Sequence, residues 1–103
     1  MIIISQAQSK RAFGPWDDTP VEDTSYLAAT DGLVCCTAST ENALIKGYTD
    51  GDDPPTTERV RDLGGSGGAG DAGLMMPVRK GDYWKITCAP GNLDDLFWLP
   101  AES

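Results

Sequence analysis

Tyr83-Trp84-Lys85-Ile86-Thr87-Cys88 alternates without a break. Trp84, Ile86 and Cys88 fall on one side of an extended chain, and Tyr83, Lys85 and Thr87 on the other. A period of two is the mark of a strand with one face on a core. Turn residues bracket it: Arg79-Lys80-Gly81-Asp82 before, Ala89-Pro90-Gly91-Asn92 after. Beyond the second turn, Leu96-Phe97-Trp98-Leu99-Pro100 predicts a closing strand that is apolar on both faces. Before the first, Leu74-Met75-Met76-Pro77-Val78 predicts a strand that Pro77 confines to an edge or a strand end.

The same pattern continues toward the start of the chain. Residues 25–29, 33–38 (LVCCTA) and 42–48 (NALIKGY) read as strands, and 57–63 (TERVRDL) as a polar edge strand. Asp31-Gly32 between two apolar runs predicts a hairpin. Residues 49–55 (TDGDDPP) and the Gly-rich stretch 64–73 read as loops. Ile2-Ile3-Ile4 is a first strand or an arm, and Phe13 to Pro20 is turn-rich with two aromatics that need a docking surface. No stretch holds helical periodicity for three turns, so short strands at roughly 8–12-residue spacing give an all-β, single-domain β-sandwich or small barrel. Residues 25–100 form the sandwich, 1–24 an N-terminal arm or strand with its turn-rich segment, and 101–103 a tail.

Composition excludes several functions. The 103 residues are 40% hydrophobic and 23% charged, enough for one core and no second. Eight Lys plus Arg against sixteen Asp plus Glu give a net charge of −8, which disfavours nucleic-acid backbone and anionic membrane surfaces. The chain has no histidine, which removes Ser-His-Asp and Cys-His nucleophiles, His-ligated zinc and His proton shuttles. Its start has no basic residue ahead of the short apolar run, so no signal peptide is expected, and no apolar run is long enough to span a membrane. Cys35, Cys36 and Cys88 are too few for a disulfide framework. On a strand, adjacent Cys35 and Cys36 point to opposite faces, one to the core and one outward or to a subunit partner.

Gly65-Ser66-Gly67-Gly68-Ala69-Gly70 spells the dinucleotide fingerprint, but a charged segment precedes it and a Met-rich strand follows, where a buried strand and a helix are needed. Asp50-Gly51-Asp52-Asp53 lacks EF-hand spacing, since Arg61 stands where a bidentate Glu is required, so no metal site or cofactor is expected. Adjacent Asp pairs do not face one another across a substrate as a glycosidase requires. The chain reads as a non-enzyme that binds or assembles. Trp16 and Tyr48 are the aromatics placed to stack on a ligand, with Asp50, Asp52 and Asp53 beside them for hydroxyls. Leu96, Phe97, Trp98 and Leu99 are the expected oligomer interface.

Three phrases together carry a resemblance: Ala29-Thr30-Asp31-Gly32-Leu33-Val34, Met76-Pro77-Val78-Arg79-Lys80-Gly81-Asp82-Tyr83-Trp84, and Phe97-Trp98-Leu99-Pro100. They are similar to small modules of tailed bacteriophages and prophages, found at tail-fibre ends and as virion-associated proteins. The resemblance implies a jelly-roll-like sandwich on the plan of the tumour-necrosis-factor and complement globular heads. It further implies a homotrimer and a virion setting, with other virion proteins or a host-surface glycan as partners and synthesis in the bacterial cytoplasm. The Cys35-Cys36 pair and the long acidic loop depart from the pattern. A free-standing carbohydrate-binding module, with Trp16 or Tyr48 as a stacking platform and the acidic loop for hydroxyls or calcium, is the competing expectation, and a carboxylate-based hydrolase a remote one.

Overall fold

The computed structural model describes residues 12–65 and 71–102. The Ile2–Ile4 run, and the Gly-rich motif beyond Gly65, lie outside the described residues. Seven strands are present: β1 (Tyr26–Leu27), β2 (Gly32–Ala38), β3 (Leu44–Asp50), β4 (Glu58–Leu63), β5 (Ala72–Val78), β6 (Tyr83–Ala89) and β7 (Asp95–Pro100). They form a four-stranded sheet in the order β1-β6-β3-β4 and a three-stranded sheet in the order β5-β2-β7. All pairings are antiparallel, and the protein is an all-β sandwich.

The pairings nest. β3 pairs with β4, β2 with β5, and β1 with β6. Outside them the N-terminal ribbon joins β7 through antiparallel bridges Phe13↔Ala101 and Asp17↔Trp98. The Asp17 and Trp98 amides exchange hydrogen bonds at 2.8 Å, and the Gly14 amide donates to the Pro100 carbonyl at 2.7 Å. A long hairpin folded on itself and rolled into two sheets is a jelly roll, with the ribbon in the place of its first strand. Residues 13–17 are therefore bonded into the sandwich and cover an otherwise open sheet edge.

Several strands differ from the sequence reading at their ends, and β1 keeps only Tyr26–Leu27 of the expected 25–29. Thr49 and Asp50 extend β3 out of the expected loop, and Ala72 and Gly73 begin β5 inside the Gly-rich stretch. The Asp31-Gly32 turn is not a hairpin, because β1 and β2 belong to different sheets. Asp31 instead ties a crossing point together. Its carboxylate accepts from the Lys80 amide at 2.8 Å, and its carbonyl from the Ala101 amide at 2.7 Å. The β5–β6 turn closes on the same place, with the Gly81 amide donating to the Ala28 carbonyl and the Ala28 amide to the Asp82 carbonyl. Gly81 has φ +90°, a left-handed backbone that other residues resist.

The core lies between the sheets. Val34, Cys36, Ala38, Met76 and Val78 from the small sheet meet Ile45, Trp84, Ile86 and Cys88 from the large one. The predicted alternation of β6 holds, with Trp84 2% exposed at its centre. Aromatic contacts stitch the layers: Tyr26 to Trp84 at 4.9 Å between centroids, and Trp84 stacked on Trp98 of the opposite sheet at 5.8 Å and 16°. Pro77 lies on β5, an edge strand, and β4 is the polar edge strand of the large sheet, both as expected.

Candidate functional site

Strand alternation fixes what each sheet shows to the outside. On the small sheet, Leu33 and Cys35 of β2 stand between Pro77 and Met75 of β5 and Leu99 and Phe97 of β7. Apart from Asp95 at one end, held by the Thr37 hydroxyl at 3.1 Å, no charged residue occupies a paired outward position on this face. Met75 is 60% exposed, and Trp16 rests edge-on against Phe97 at 5.9 Å while remaining 59% exposed. A depression of about 510 Å³ opens beside Cys35, Met75 and Phe97. The outside of the large sheet is more polar: Lys46, Tyr48, Lys85 and Thr87 alternate outward there, joined by a Glu58–Arg61 ion pair at 2.6 Å, with exposed Leu27 and Leu63 on its two edge strands.

The four residues expected at an interface therefore divide. Phe97 faces outward; Leu99 shares its side of the strand but is buried within this chain at 9% exposure. Leu96 and Trp98 turn inward, opposite Cys36 and Val34, and are spent on this chain's own core. An unbroken apolar run conceals parity, and only the register of β7 on β2 reveals it.

The expected ligand-contacting residues are not brought together. Trp16 sits over the small sheet, whereas Tyr48 lies on the outside of the large sheet with the Lys85 ammonium 5.4 Å from its ring centroid. Asp50 is a loop staple. Its carboxylate accepts from the amides of Asp52 at 2.8 Å and of Thr56 and Thr57 at 2.9 Å. Those bonds, the one from Asp52 foremost, pull its pKa down to about 2. Asp52 and Asp53 are exposed, and among the described residues no three carboxylate or thiol groups gather as a metal-ligand set.

All three cysteines are free thiols. Cys36 faces the core, where burial pushes its pKa up to about 12, and Cys35 is half-buried on the outer apolar face. The split between them follows from their adjacency on a strand.

Sequence reasoning missed a cleft of about 670 Å³ at the end of the sandwich. Its walls come from the start of β2 (Gly32, Leu33), from β4 (Arg59, Val60), from the end of β5 (Pro77, Val78) and from the β5–β6 turn (Arg79, Asp82), with Phe13 from the ribbon. The signal was present in two of the motif phrases, but nothing local in them says that they meet. No family model, curated protein or solved structure matches this chain.

Proposed function

We propose that the protein is a phage or prophage structural module, a self-assembling β-sandwich that acts by display and surface recognition rather than by catalysis. The observation that carries the reading is the contrast between the two outer faces. One carries Lys46, Lys85 and the Glu58–Arg61 pair, with Leu27 and Leu63 confined to its edge strands; the other offers Leu33, Met75, Pro77, Phe97 and Trp16 as a nearly uncharged apolar sheet surface. Contiguous exposed apolar surface of this kind marks an interaction site in a soluble protein. A second copy is the occupant, because a face whose one charge, Asp95, stands at its end can meet its own image around a symmetry axis with little like-charge repulsion. The jelly-roll pairing and the motif phrases support a threefold arrangement on the plan of trimeric globular heads. The virion setting, the host-surface partner and the absence of enzymatic activity belong to the same proposal.

Phe97 serves this interface, joined by Met75 and Trp16, while Leu96, Trp98 and the buried Leu99 hold the protomer together. Sedimentation equilibrium tests the reading. The wild type is expected to run as a trimer at micromolar concentration, and the Met75→Glu/Phe97→Glu variant as a folded monomer, since both side chains point out of the sandwich. A wild type that remains monomeric at that concentration overturns it.

A further inference from the structure

We propose that the cleft at the end of the sandwich is a binding site for a carboxylate-bearing saccharide. The inference deepens the surface-recognition reading above and does not require assembly. Two guanidiniums line the cleft, Arg59 from β4 and Arg79 from the β5–β6 turn, in a chain whose net charge is −8. Neither has a carboxylate oxygen within ion-pair distance among the described residues. The Arg59 Nε donates to the Thr49 carbonyl at 3.2 Å, a bond that leaves both Nη groups for a ligand. Planar guanidinium groups match a carboxylate with paired hydrogen bonds in a way that a lysine does not.

The rest of the lining suits a sugar. Asp82 supplies an acceptor for hydroxyls, and Phe13 and Val60 supply apolar surface for the C–H face of a pyranose ring. Asp31 also lines the cleft, with one carboxylate oxygen accepting from the Lys80 amide at 2.8 Å, and neither it nor Asp82 lies within ion-pair distance of the two arginines. That bond also holds the Arg79 turn in place, so the cleft is shaped by backbone contacts before any ligand arrives. A volume of about 670 Å³ lies within the range of small-ligand sites and takes a short oligosaccharide end.

Titration calorimetry with tri-galacturonic acid and with sialyllactose tests the assignment and separates uronic from sialic acids as the source of the carboxylate. Fully methyl-esterified tri-galacturonate, which keeps the rings and loses the charge, is the control. At least one acid is expected to bind, with the neutral ester weaker by about tenfold or more, and with Arg59→Gln and Arg79→Gln each weakening the acid by about tenfold. Tyr48→Ala, on the far side of the large sheet, is expected to leave binding unchanged. The same measurements on the monomeric Met75→Glu/Phe97→Glu variant separate this inference from the assembly reading, since binding is expected to persist there. Absence of binding by both acids, equal binding of acid and ester, or binding insensitive to both arginine substitutions overturns the assignment.

Discussion

Gly32→Ala is the sharpest test of how the two sheets lock. A Cβ built on Gly32 falls 2.5 Å from Cη2 and 2.7 Å from Cζ2 of Trp98, and 2.7 Å from the Leu99 carbonyl oxygen. Neither neighbour can yield cheaply. The carbonyl belongs to the β7 backbone, and the indole is stacked on Trp84 at 5.8 Å, so moving it opens the contact between the layers. Overpacking of this kind costs about 1–3 kcal/mol, and a disturbed aromatic pair about 0.5–1.5 kcal/mol more. A loss of about 2–4 kcal/mol lowers Tm by roughly 8 °C or more in a domain of this size. Urea denaturation followed by tryptophan fluorescence measures it, with near-ultraviolet circular dichroism reporting the Trp84–Trp98 pair. Gly51→Ala is the control: no atom lies within 4 Å of the added carbon, and the change is expected to stay within about 0.5 kcal/mol. A Gly32→Ala protein as stable as the wild type, with an unaltered tryptophan spectrum, refutes the packing described here.

Two further outcomes follow from the titratable groups. Asp50 has its folded-state pKa depressed from 3.8 to about 2, so its contribution to stability is complete above about pH 4 and disappears as pH falls toward 2. Asp50→Asn is expected to lower Tm at pH 7 and to flatten the decline of Tm with acidification between these limits; parallel Tm–pH curves for the two proteins count against the staple. Among the thiols, Cys35 is expected to react with a maleimide ahead of Cys36 and Cys88 in the monomeric Met75→Glu/Phe97→Glu variant, and to be protected in the assembled wild type. Mass spectrometry of partly labelled protein reads the order, and Cys36 labelling first contradicts its place in the core.

Strand by strand, much of this fold was legible. Trp84, Ile86 and Cys88 announce their face by periodicity alone, and Pro77 correctly marks β5 as an edge strand. What was not legible is everything that depends on distant partners. Asp31-Gly32 has the composition of a tight hairpin, yet its carboxylate bonds to Lys80, 49 residues away, and the strands on either side of it separate into different sheets. Asp50 reads as one acid among several in a loop, and only the folded turn presents three amides to it. Arg59 and Arg79 carry no motif that links them; they share a cleft because β4 and the β5–β6 turn meet at one end of the sandwich. Local pattern determines which face a side chain takes, whereas sites arise where separate patterns converge.

The nested pairing governs how the chain can acquire its structure during synthesis. Ribosomes deliver residues in order, yet β2 has no partner until β5 and β7 emerge, β1 waits for β6, and the ribbon at Phe13–Asp17 waits for Trp98 and Ala101. Only β3 and β4 can zip early, which makes the Asp50-stapled connection between them the natural nucleus. Until β5, β6 and β7 have emerged, β1, β2 and the ribbon lack their partners and stay open to chaperones and to neighbouring nascent chains.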